Sequence, residues 1–127
     1  MIEIKSIDQE TTSKSYDFDT AVNIELRLND WPDYKFVRLF ELIYGQALLS
    51  TKRKAEIRTD KIVLTISSED SPKNIQDNID LIKRTLEETN KEISAQQKKE
   101  REEFERKRKD KESQLDSVKT KLKGVTL

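Results

Sequence analysis

Between Pro72 and Gly124 the chain contains neither proline nor glycine. Those two residues stand where a helix start and a helix stop are expected, since proline suits a first helical turn and glycine a C-terminal cap. One uninterrupted helix of about 52 residues, about 78 Å long at 1.5 Å per residue, is predicted. Ser71 or Asp70 is the expected N-cap. Any compact domain must therefore be built almost wholly from residues 1–70.

Those 70 residues read as alternating strands and one helix. Ile2 and Ile4 mark a first strand over residues 1–7, and the polar stretch 8–14 (DQETTSK) reads as a loop. Tyr16, Phe18, Thr20, Val22, Ile24, Leu26 and Leu28 take every second position, which predicts a strand with one buried and one wet face. Asp30, Pro32 and Asp33 then favour a helix start, with Asp30 as the cap. The helix is expected through Tyr34 to about Tyr44, with an extension past Gly45 to Leu49 as the longer bound. Phe36, Leu39, Phe40, Ile43 and Ala47 share one side, with Val37, Tyr44 and Leu48 on an adjacent one. Residues 53–58 and 61–67 alternate around Thr59-Asp60 and predict a hairpin. The expected fold class is α+β in ββαββα order: a two-layer antiparallel sheet with a long charged C-terminal helix. The expected division is a head at 1–70 and the helix at 71–127, its first part packed on the head and the rest projecting or paired.

The long helix has three parts. Ile75, Ile79, Ile82, Leu86 and Ile93 keep one face and are expected to pack on the head. From Ser94 to Ser113 only Ala95 and Phe104 are apolar. Acid-before-base pairs at i,i+4, such as Glu102–Arg106 and Glu103–Lys107, support a solvated helix there. Leu115, Val118 and Leu122 then restore the stripe, followed by Val125 and Leu127. A stripe so placed needs a cover. Three covers are open: antiparallel pairing of two chains about Phe104, with Leu115 near the partner copy's Ile93 and Leu122 near its Leu86; a fold-back within one chain near 110–113; or docking on another protein.

Composition narrows the chemistry. The chain has no cysteine and no histidine, so disulfides, zinc sites built from those ligands, thiol nucleophiles and serine–histidine triads are excluded. Its two glycines cannot build a phosphate loop. The carboxylate pairs Asp17/Asp19, Asp30/Asp33 and Glu69/Asp70 fall on a wet strand face or beside helix starts, where negative charge is favoured without catalysis. No enzyme activity, cofactor, metal or small-molecule substrate is expected. The first residues lack the pattern of a signal peptide, no stretch is apolar enough for a membrane span, and the cytoplasm is the expected compartment.

Net charge is zero, with 25 basic and 25 acidic residues. The expected function is a non-catalytic interaction protein of adaptor or inhibitor type. It would bind itself or another protein through Ile93, Phe104, Leu115, Val118 and Leu122. Trp31 and Tyr34 are a second candidate surface on the head, Trp31 having the alternative role of a staple on the first helical turn. The other expectation is a nucleic-acid-associated protein. Its phosphate contacts would be Lys52, Arg53 and Lys54 with Arg106, Lys107, Arg108 and Lys109 of the helical segment 98–111, the basic tract 106–111 having no interleaved aromatic for base stacking.

Overall fold

A computed structural model describes residues 1–126. The elements run β1 (Ile4–Lys14), β2 (Ala21–Leu28), α1 (Tyr34–Gln46), β3 (Lys54–Arg58), β4 (Lys61–Ser67) and α2 (Pro72–Leu122). The class is α+β, with one antiparallel sheet in the order β1-β2-β4-β3 and a long C-terminal helix. The chain divides into two compact units, Met1–Glu92 and Ile93–Leu127.

The core of the first unit follows from register. Leu26 pairs with Ile62, Ile24 with Leu64 and Val22 with Ile66, while Ala55 and Ile57 oppose Leu64 and Ile62 from the other side. One sheet face is thus an aliphatic surface. Phe36, Phe40 and Tyr44 of α1 and Ile79, Ile82 and Leu86 of α2 are buried in the same unit. The opposite face is held by polar pairs, Arg27 with Asp8 at 3.2 Å, Lys61 with Glu25 at 2.8 Å and Thr65 with Asn23 at 2.8 Å. Central strand β4 is nevertheless buried on both faces. Val63 lies between Glu25 and Glu56 in register, and long polar side chains shield aliphatic neighbours while keeping their charged ends in water.

Four local expectations need correction. Strand β1 continues through 8–14, which the polar composition assigned to a loop. It is an edge strand with register shifts on either side of its Ser6–Asp8 pairing, and mostly exposed, so alternation was never required of it. Conversely, Tyr16 and Phe18 are not in β2. They belong to the β1–β2 connection, closed by the Ser15 and Ala21 amides donating to Ala21 and Phe18 carbonyls, and Tyr16 is exposed. The cap of α1 is Asp33, whose Oδ1 accepts from the Phe36 amide at 2.8 Å, while Asp30 accepts from Trp31. Finally, Trp31 is exposed and Pro32 is buried beside the cap, so tryptophan does not act as the staple.

At the start of α2 the two cap candidates divide the work. Ser71 Oγ accepts from the Asn74 amide, while Asp70 faces back into the domain. Its carboxylate takes Arg53 Nη2 at 2.7 Å, Arg53 Nε at 3.0 Å and the Ser67 amide at 3.0 Å. The Arg53 hydrogen bond, helped by the Ser67 amide and opposed by burial, holds the Asp70 carboxyl below its ordinary range. A depressed carboxylate contributes stability above its unfolded-state pKa and loses it as pH falls through the folded value. Asp70→Asn is expected to cost about 1 kcal/mol at neutral pH, discounted because Arg53 is partly in water, and to flatten the acid limb of the stability curve. Denaturant midpoints at pH 7 and pH 3 measure both. Equal acid slopes in parent and variant would refute the linkage.

Candidate functional site

The distal unit carries the first candidate. Phe104 is 69% exposed, Leu115 57%, Val118 52% and Leu122 60%, with Val125 at 64% beyond the helix end. Ile93 at the start of this unit is half-buried. Leu127 lies outside the described residues. Leu115 and Val118 line a shallow depression bounded by Arg108, Lys111, Glu112 and Gln114. The apolar groups are set among charge on a helix that ends with Lys119 and Lys121, where cations suit the helix dipole. The helix capping interactions there are ordinary: Gly124 and Val125 amides reach the Lys121 and Leu122 carbonyls.

The postulated contact of Leu122 with a partner copy's Leu86 is not available. Leu86 is buried in the first unit, at the centre of the same stripe that the sheet face requires.

The basic candidates separate. Lys52 Nζ donates to the carbonyls of Tyr44, Gly45 and Ala47 at 3.1–3.3 Å, so it serves the C-terminal end of α1. Arg53 is committed to Asp70, and Lys54 pairs with Asp17 at 3.5 Å. All three cations of the 52–54 cluster thus have partners within the domain. Arg106, Lys107, Arg108 and Lys109 are exposed on α2. Being consecutive, they spread around the helix at about 100° per residue and form no single basic face.

On the head, Trp31 is 68% and Tyr34 74% exposed. Arg38 covers the Tyr34 ring at 5.6 Å and donates to its hydroxyl at 2.9 Å. These two aromatics share the N-terminal end of α1.

Two asparagines were missed by sequence reasoning. Asn78 Oδ1 accepts from the Arg53 amide at 2.7 Å, and its Nδ2 donates to the Thr51 and Asn74 carbonyls at 2.9 Å. Asn90 Oδ1 accepts from the Ile2 amide at 3.0 Å while Nδ2 donates to the Ile2 carbonyl at 2.8 Å. Each carboxamide thus satisfies a donor and an acceptor of a neighbouring backbone, as a strand would. Asn29 does the same from the other side, accepting from Glu3 and donating to Met1. The only available signal was a poor helix former set beside an apolar stripe.

Asn90 also lines a pocket of about 280 Å³ with Met1, Ile2, Ile4 and Leu86, rimmed by Lys83, Glu87 and Lys91. Burial pushes the Tyr44 hydroxyl, which donates to the Arg53 carbonyl, up to about 12, so it stays protonated and acts as a structural donor. Among the described residues no group of three or more metal-ligating side chains converges, and no helix is long and apolar enough to cross a membrane. The chain matches no protein-family model, no curated protein and no solved structure.

Proposed function

We propose that this is a non-catalytic protein-interaction protein of the adaptor or inhibitor kind, working through the distal part of α2. The observation that carries it is the row Phe104, Leu115, Val118 and Leu122, each more than half exposed on one stripe of an otherwise charged helix. Single exposed apolar residues are common on protein surfaces, but a periodic row of them marks a face that another surface covers. The sheet, α1 and the first turns of α2 form the supporting domain. The carboxamide clamps of Asn78 and Asn90 fix α2 to it.

Nucleic-acid association remains a second reading only through the exposed Arg106–Lys109 tract. Lys52, Arg53 and Lys54 already have partners within the domain, so that reading draws its support from the distal tract. Phosphate binding would weaken steeply between low and moderate salt.

The test compares the full chain with a variant carrying Leu115→Lys, Val118→Lys and Leu122→Lys. The parent is expected to sediment as an assembly, with itself or with a copurifying protein, and the variant as a monomer of unchanged helicity. Identical sedimentation and identical copurifying material for the two chains would end the interaction proposal.

A further inference from the structure

We infer that the distal face of α2 docks into an apolar groove walled by carboxylates on a different protein. This rests on α2 being an interaction helix and adds the chemistry of the partner.

The placement of charge around one stretch of helix carries the inference. At about 100° per residue, Leu115, Val118 and Leu122 lie within about 40° of Phe104 around the axis. Between Phe104 and Leu122, the other residues within about 60° are Lys107, Arg108, Lys111 and Lys119, and every one is a cation. The carboxylate nearest in angle, that of Glu112, is about 80° away, and Glu105, Asp110 and Asp116 are about 100° away or more. The far side of the same stretch is balanced instead, with Arg106 and Lys109 against Asp110 and Asp116.

Solvation alone does not sort charge in this way. Lys107 and Arg108 precede Lys111 by four and three residues, like-charge spacings that weaken an isolated helix. Carboxylates of a partner remove that cost. Arg108 and Lys111 border the same shallow depression as Leu115 and Val118, so a surface that covers the aliphatic groups also meets these two cations. Covering a cation without a counter-charge is costly, whereas an acidic wall neutralises it and guides the approach. Leu115, Val118 and Leu122 stand at i, i+3 and i+7, the anchor spacing of a helix laid in a groove. From Phe104 to Leu122 the face is about 27 Å long, which sets the length of the groove.

Other covers match this face less well. A second copy brings the same four cations and no acid on the same face. A bilayer interface favours an unbroken apolar face, and here Lys111 lies inside the apolar band, between Phe104 and Leu115 along the helix. The phosphates of a nucleic acid answer the cations but leave the aliphatic groups against a polar surface.

The test places a photoreactive benzophenone side chain at Gln114, beside the depression, in the full chain expressed in its own cells. After irradiation, mass spectrometry identifies what is attached. The expected adduct is a peptide of a different protein, apolar and with more Asp and Glu than Lys and Arg around the attachment point. Two paired charge reversals then separate this face from net charge. Arg108→Glu with Lys111→Glu is expected to cut the adduct about tenfold or more. Arg106→Glu with Lys109→Glu makes the same change in charge on the far side and is expected to keep it within about twofold. Circular dichroism showing equal helicity in both variants makes the comparison one of binding. An adduct to this chain itself, an adduct to a partner segment without excess acid, or equal losses in the two variants would overturn the acidic groove while leaving the interaction reading in place. Attachment to lipid or nucleic acid, or to nothing, would overturn both.

Discussion

Replacing Asn78 with leucine is expected to cost about 3–5 kcal/mol, although leucine has nearly the same shape and a better helix propensity. The side chain is 1% exposed and makes three hydrogen bonds. One of these, to the Asn74 carbonyl, is dispensable because that carbonyl also accepts within the helix. The other two are not. The Arg53 amide and the Thr51 carbonyl lie at the approach to edge strand β3, where strand pairing supplies a neighbour on one side only. Leucine would leave a donor and an acceptor without partners and without water, and each such orphan costs about 1–3 kcal/mol. Asn90→Leu should cost less, because the Ile2 backbone it serves is close to solvent and can exchange the lost partner for water. Denaturant midpoints for both variants decide the matter. A loss below about 1 kcal/mol at Asn78 would mean that the loop relaxes to find other partners.

The asymmetry between these asparagines and the rest of α2 shows what the sequence could and could not carry. The hairpin of β3 and β4 was legible because Ala55, Ile57, Ile62, Leu64 and Ile66 alternate under a period of two, and only one sheet face could bury them. The buried stripe of α2 was legible through its steps of three and four. The second half of β1 was not, because Asp8 to Lys14 forms an edge exposed on both faces, where backbone pairing with β2 suffices and side chains carry no pattern. Tyr16 and Phe18 misled for the opposite reason: they fall in phase with β2 by position alone, beyond the point where its ladder with β4 begins at Ala21. Tyr44, placed beside the main stripe of α1 by spacing, belongs to its buried face, because Phe36, Phe40 and Tyr44 recur every four residues and the two latter rings stack at 5.8 Å. Roles that depend on a distant backbone, such as those of Asn78, Asn90 and Lys52, leave no local trace. At the candidate interaction face the stripe could be read, whereas the partners of the three cations at 52–54 could not: charge type is visible in sequence, but the group that pairs with it is not.

The same limit applies within one stripe, and it gives the second large effect. Ile82 and Leu122 occupy equivalent positions on α2, related by the spacing that predicts a single apolar line along the helix. Ile82 is wholly inside the first unit and Leu122 is more than half in water. Ile82→Ala is expected to destabilise the chain by about 2–4 kcal/mol, the lost transfer energy plus the cavity left against a sheet face that cannot collapse onto it. Leu122→Ala should change stability by no more than about 0.5 kcal/mol in dilute solution, where nothing covers the side chain. The order reverses when association is measured. Leu122→Ala should raise the concentration at which the chain assembles, while Ile82→Ala should leave that concentration unchanged wherever the chain is still folded. Chemical denaturation at low protein concentration and sedimentation at high concentration separate the two. If Leu122→Ala costs as much stability as Ile82→Ala in the dilute chain, then Leu122 is already covered within its own molecule and needs no partner.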